Sequence, residues 1–237
     1  MTKRKVNDLI TSAKRGFTLA EVLITLAIIG VVAAMTIPTL LQNYKKKLVE
    51  TRLLNGYSVI SQAVQLSIID NGPTNTWKNF GPSTTSTATY NDIKEWYDTY
   101  LASYLKSQKV EKAKDSEDLI VYLLDGSALQ FRYYGADVYF YPEAKNTGDR
   151  KNGINYFRFW IGLDASASGM NLSDVHSKYF PENGIDTYSY GWDGTLEGAK
   201  YSTLASGYGC YENYRALCAK LIQLNGWKIP DDYPFKF

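Results

Sequence analysis

"KRGFTLAEVLITLAIIGVVAAMTIPTLL", residues 14–41, decides how the rest of the chain is read. From Phe17 to Leu41 it runs 25 residues with Glu21 as the only charge. About 20 apolar residues cross the hydrocarbon core of a bilayer as a helix, so the run is long enough to span with some tilt. An ionised carboxylate inside hydrocarbon is costly, which marks Glu21 as a functional candidate. The plainer reading is a carboxylate at the helix start that snorkels to the interface. A cleaved secretory signal is the competing reading of the whole run, with Val32-Ala33-Ala34 as its cleavage site. It fits poorly, because the run stays apolar beyond that point and a signal core should be neutral at Glu21. Pro38 removes a backbone donor inside the run, so a kink or local break is expected there, with the Thr36 hydroxyl near enough to serve a freed carbonyl.

Working outward, residues 1–16 hold five bases (Lys3, Arg4, Lys5, Lys14, Arg15) and one acid, Asp8, a net +4. The whole chain of 237 residues carries +2, so everything after the leader carries −2. A mildly acidic remainder argues against a nucleic-acid-binding surface. The basic leader favours a cytoplasmic N-terminus, a bias weakened by Lys45-Lys46-Lys47 and Arg52 on the far side. Two cysteines and one histidine are too few for a four-coordinate zinc site.

Beyond the run, Val49, Leu53, Gly56/Tyr57, Ile60, Val64 and Ile68 recur at three- and four-residue spacing, with Thr51, Asn55, Ser58, Gln62 and Gln65 opposite. That pattern predicts an amphipathic helix stopped by Asn71-Gly72-Pro73. A coiled-coil seam is disfavoured, since the polar face lacks flanking ion pairs. From Phe17 to about Asp70 the element would be roughly 80 Å long. In "NDIKEWYDTYLASYLK" the apolar periodicity predicts a helix over about 92–107, with Asp92 and Glu95 as its capping box. "DLIVYLLDGSALQFRYYGADVYFY" predicts a hairpin at Asp125-Gly126, a second turn at Gly135-Ala136-Asp137 and a third strand. Residues 154–163 read as a fourth strand. Residues 164–209 show no clear period and read as loop, as does the polar stretch Ser83–Thr89. Tyr214, Leu217, Cys218, Leu221 and Ile222 suggest a short helix ending near Gly226. The expected fold class is α+β, a long helix packed on an antiparallel sheet.

The leader ending in Gly16 followed by "FTLAEVLITLAIIG" resembles the class III signal of type IV pilins and type II secretion pseudopilins. The resemblance covers residues 14–40 and fades after that. It implies cleavage between Gly16 and Phe17 by a membrane-embedded prepilin peptidase, then N-methylation of Phe17. Glu21 becomes the fifth residue of the mature chain, where the family carries its functional glutamate. In a staggered stack, the new amine of one subunit can approach Glu21 of its neighbour, so that two costly charges partly neutralise each other and fix register. Gly30 and Pro38 fall where such helices soften or melt in the filament.

The implied organisation is a cleaved leader (1–16), a transmembrane and filament-core helix (17–41), its amphipathic continuation (42–70) and an extracytoplasmic head (71–237). The implied partners are copies of itself or related pilins, the prepilin peptidase, and an inner-membrane assembly platform with its cytoplasmic ATPase. The implied location is the bacterial cytoplasmic membrane, single-pass, then an extracytoplasmic filament. A secretion pseudopilus is slightly favoured over a surface pilus, with DNA uptake open. The alternative from another class is a monomeric membrane-tethered binding domain.

Cys210 and Cys218 lie eight apart. With the head outside the cytoplasm a disulfide is expected; without oxidising machinery they would be two buried thiols. Enzymatic readings are weak. His176 stands alone in a loop beside Asp174, with no nucleophile motif. Asp164, Asp174, Glu182, Asn183 and Asp186 could offer oxygens to calcium, but not at EF-hand spacing, so no cofactor is expected. The 20 tyrosines suit half-buried strands and interfaces without any carbohydrate or DNA contact.

Overall fold

A computed structural model describes residues 16–78, 88–132, 137–163 and 178–237. The expected turn at Gly135-Ala136, the Ser83–Thr87 part of the polar stretch, His176, Asp164 and Asp174 lie outside these residues. The described chain divides into two units at Asn43/Tyr44.

α1 spans Leu19–Asn71, 53 residues, and includes Pro38. Through Asn43 its apolar side chains are almost all exposed, Leu19 at 77% and Met35 at 74% among them. From Tyr44 onward the same helix becomes amphipathic, as the spacing requires. Leu53, Ile60 and Val64 are fully buried, while Thr51, Asn55, Gln62 and Gln65 face solvent. The helix stops where glycine and proline predict. Gly72 takes φ +77°, its N–H closing on the Ile68 carbonyl at 3.0 Å, and the Gly72 carbonyl accepts from the Trp77 indole N–H at 2.8 Å.

α2 runs Tyr90–Tyr100 and buries Ile93, Trp96 and Tyr97. Its capping box is Thr89/Asp92, one turn before the expected pair. Thr89 N–H donates to Asp92 Oδ2 at 2.8 Å, and Asp92 N–H returns to Thr89 Oγ1 at 3.4 Å. The helix also ends sooner than its periodicity suggests. Ala102 N–H reaches back to the Tyr97 carbonyl, and the chain turns through 101–105 into a strand.

Six strands follow: β1 (Ser107–Lys112), β2 (Leu119–Leu123), β3 (Ala128–Phe131), β4 (Asp137–Tyr141), β5 (Phe157–Ile161) and β6 (Ile185–Thr187). They form one antiparallel meander in that order. Gly126, at φ +82°, closes the β2–β3 hairpin. One face, built from Val121, Leu129, Phe131, Phe140 and Phe159, joins α1 and α2 in the main core. The other carries a smaller cluster of Ile120, Ala128, Tyr139, Tyr141 and Tyr156. This is the α+β class expected of the sequence, with a pilin-like order of long helix then antiparallel sheet. β1 and β6 were not foreseen, and β6 replaces part of the expected 164–209 loop.

Among the described residues the head also carries two short α-helices, α3 (Leu196–Lys200) and α4 (Cys218–Leu224). Lys220 of α4 is buried, and burial lowers its pKa below the ordinary lysine value. It stays satisfied by Asp186 Oδ2 at 2.8 Å and Gln223 Oε1 at 2.9 Å.

Candidate assembly and processing site

Gly16, Phe17 and Thr18 precede the helix without regular structure, and all three are exposed. The Gly16–Phe17 peptide bond is therefore outside the helical hydrogen-bond ladder. What starts the helix just beyond it is a reciprocal pair. Thr18 N–H donates to Glu21 Oε2 at 2.8 Å, and Glu21 N–H donates to Thr18 Oγ1 at 3.2 Å. That is a capping box, which satisfies donors that a helix N-terminus otherwise leaves open. Glu21 thus has a partner within its own chain. The sequence reading gave its carboxylate a partner only in a neighbouring subunit; within the single chain it already accepts the Thr18 N–H. The signal was in the sequence as Thr18-x-x-Glu21, and Thr18 is the residue that the sequence reading missed.

Behind this cap, none of the most apolar window of α1 is buried by the rest of the chain. Thr25 folds its hydroxyl back onto the Glu21 carbonyl at 2.9 Å, removing a polar group from an apolar surface. Gly30 meets nothing within 4 Å of where a Cβ would stand. Pro38 lies within an unbroken helix. Its ring deprives Ala34 of a donor, yet the Thr36 hydroxyl donates to Val32 at 2.9 Å, not to Ala34. In the single chain, then, Gly30 and Pro38 sit in regular helix.

Cys210 and Cys218 are joined by a disulfide, both fully buried. Gly153, at φ +74°, presses its backbone on Cys218 and leaves no room there for a side chain. The calcium reading loses donors. Asn183 Oδ1 accepts from Thr74 N–H at 2.7 Å and from its hydroxyl at 3.0 Å, and Asp186 is engaged by Lys220, Gln223 and its neighbour's N–H. Among the described residues no group of three acidic, histidine or cysteine side chains could hold a metal ion.

Sequence spacing also missed Glu50. It lies on the head-facing side of α1 at 7% exposure, and its Oε1 accepts from Ile229 N–H at 3.0 Å. Lys47 and Lys228 flank its other oxygen at 3.7 and 3.5 Å. The segment after α4 is pinned there to the first head-packed turns of α1, helped by Lys46 on Asp231 at 3.2 Å.

Two family models match the chain. A family of unknown function (DUF6613) covers residues 39–237, and the prokaryotic N-terminal methylation motif covers residues 11–37. No curated protein and no solved structure matches. The methylation motif spans Gly16, Phe17 and Glu21 and marks a pilin- or pseudopilin-type precursor. Together with the one helix among the described residues that is long and apolar enough to span a bilayer, it fits a membrane-anchored form.

Proposed function

The chain belongs to the family of unknown function DUF6613, and we propose that it is a structural filament subunit, a pilin or secretion pseudopilin. In this reading prepilin peptidase cuts between Gly16 and Phe17, the new amine is methylated, and residues 17–41 become the filament core. One observation carries it: an apolar half-helix left bare by its own chain, headed by a methylation motif with a lone carboxylate. Copies of the chain or related pilins would cover that surface. An inner-membrane platform and its ATPase would draw each subunit from the bilayer, and the chain would do no chemistry itself.

The capping box refines the role of Glu21. With Oε2 held by the Thr18 N–H, the other oxygen is presented to the amine of an adjacent Phe17. Opposite charges at contact in a dry core are partly neutralised, which fixes axial register. Gly30 and Pro38 would bound the stretch that unwinds when subunits pack.

Mass spectrometry of the native protein tests the reading. A mature N-terminus at methylated Phe17 is expected, whereas an intact leader would favour a monomeric tethered domain. Glu21→Ala should insert and be cleaved normally but fail to polymerise, and normal polymer from that variant would remove the pairing role.

A further inference from the structure

The sheet face that carries the smaller apolar cluster also carries a cavity of about 440 Å³, a size in the range of small-ligand sites. Strands β1 to β3, the β1–β2 turn (113–116) and the 147–150 loop line it. Ile120 and Gln130 stand opposite each other across β2 and β3, so both point to this face. All of these residues lie within the unit Tyr44–Phe237, and the cavity is therefore independent of the filament reading.

Neither sign of charge prevails there. Lys112, Lys114 and Arg150 line the cavity, and so do Glu111 and Asp115. Lys112 is already engaged by Glu117, and Arg150 stands 3.7 Å from the buried Asp118. An anion and a cation would each meet side chains of their own sign and disturb pairs already made. Hydrogen bonds, by contrast, are on offer in both senses. Gln130, 2% exposed, gives one amide hydrogen to Asp118 and accepts at its carbonyl from the Tyr141 hydroxyl at 2.8 Å. A primary amide has two hydrogens and two lone pairs, so half of its capacity is left for a guest. Ser116 Oγ accepts from Asp118 N–H at 3.4 Å and keeps its own hydrogen to donate. The Thr147 hydroxyl donates to the Ala144 carbonyl at 2.9 Å and keeps its lone pairs to accept. Lys114 and Asp115, both exposed on the turn, add a donor and an acceptor.

We propose that this cavity binds a neutral saccharide, with Gln130, Ser116 and Thr147 on its hydroxyls and Lys114 and Asp115 at the rim. A sugar hydroxyl donates and accepts at once, so a lining of mixed donors and acceptors serves it where a single ion is opposed. The carbon of Tyr122 and Ile120 faces its C–H groups. The Gln130 amide is held by buried partners before any guest arrives, which keeps the ordering cost of binding low. The head thereby has a ligand of its own, separate from the assembly contact at Glu21.

Isotope-labelled full-length chain in phosphocholine micelles, which carry no sugar, is titrated with maltose, lactose, cellobiose and N,N′-diacetylchitobiose while backbone amide shifts are followed. At least one sugar should move amides over 111–116 and 147–150 and leave those around the Cys210–Cys218 bond in place. K114A/D115A alters two exposed side chains outside the core. It should weaken that binding at least about tenfold, as expected for losing charge-assisted hydrogen bonds, with the melting midpoint unchanged. No shift with any of the four sugars, or binding undiminished in K114A/D115A, would overturn the site. Equal shifts with sodium phosphate or with spermidine would make the cavity ionic and overturn the saccharide assignment. Neither result touches the filament reading, which is tested by the mature N-terminus and by polymer.

Discussion

Gly56 lies on the face of α1 that meets the sheet, where the ring edge of Phe140 occupies the place of a Cβ. An alanine methyl there would land against Cε2 of that ring, with Cδ2 at 2.8 Å. Ordinary carbon contacts sit near 3.5–4.0 Å, so helix or ring must give by about 1 Å. Phe140 is fully buried beside Phe159, whose ring centroid is 6.0 Å away, and has no solvent to move into. Overpacking of this kind costs about 1–3 kcal/mol, and the overlap places Gly56→Ala near the top of that range. Alanine recovers about 1 kcal/mol through helix propensity, leaving a net loss of about 2 kcal/mol. For a chain of this size that lowers the midpoint by about 4–8 °C, read by near-ultraviolet circular dichroism of the full chain in detergent micelles. A double variant with Phe140→Leu should be less destabilised than the two single effects combined, with a coupling of at least about 1 kcal/mol. Unchanged or raised stability in Gly56→Ala, or strict additivity in the double variant, would refute the packing argument.

Replacing both Cys210 and Cys218 with alanine should cost about 2–3 kcal/mol, because the bond closes a loop with a sequence separation of eight. Titration of native protein without reductant should detect no thiol. Burial pushes the Tyr141 phenol up to about 12. A pKa raised above its unfolded value gives stability that is complete below about pH 10 and is lost as pH rises toward about 12. Urea midpoints should therefore fall across that window as tyrosinate absorbance appears, by about 2 kcal/mol for Tyr141 alone; a flat profile would contradict its burial. Thr18→Val removes the oxygen that receives Glu21 N–H, and should fray the start of α1 by about 0.5–2 kcal/mol. Faster amide exchange over residues 19–22 in micelles would show it, and Thr18→Ser should restore protection.

Legibility in the sequence follows how far away each residue's partner lies. The amphipathic half of α1, its stop at Gly72-Pro73 and the hairpin at Asp125-Gly126 are set by local spacing and turn chemistry, and each is found where the pattern puts it. The start of α2 shows how a local pattern can mislead by one turn. Asp92/Glu95 and Thr89/Asp92 both fit a cap, but Tyr90 N–H is taken by Glu117 Oε2 at 2.9 Å, from 27 residues further on. β1 was invisible because "SQKVEK" is an edge strand, where lysine and glutamate blunt an open ladder. β6 has only three residues, too few to show a period. Glu50 reads as an ordinary polar residue because its backbone partner, Ile229, lies 179 positions away. Of the candidate site, Gly16, Phe17 and Glu21 belong to one local stretch that the methylation motif covers.

The Thr18–Glu21 pair bears on how a subunit waits in the membrane. A bare carboxylate at the head of an apolar helix would oppose insertion. A carboxylate that accepts a backbone N–H within its own first turn opposes it less, since the bond offsets part of the lost hydration and lies at the positive end of the helix dipole. In the proposed filament the cap need not break for assembly to proceed. The Thr18 N–H belongs to the residue after Phe17, so it survives cleavage, and the carboxylate can keep it while accepting a neighbour's amine. Removing the carboxylate therefore removes two contacts at once, whereas removing the Thr18 hydroxyl removes the return bond alone. If Glu21→Ala blocks assembly but Thr18→Val only slows it, the amine contact is the larger contribution. If both block it equally, the orientation imposed by the cap governs assembly.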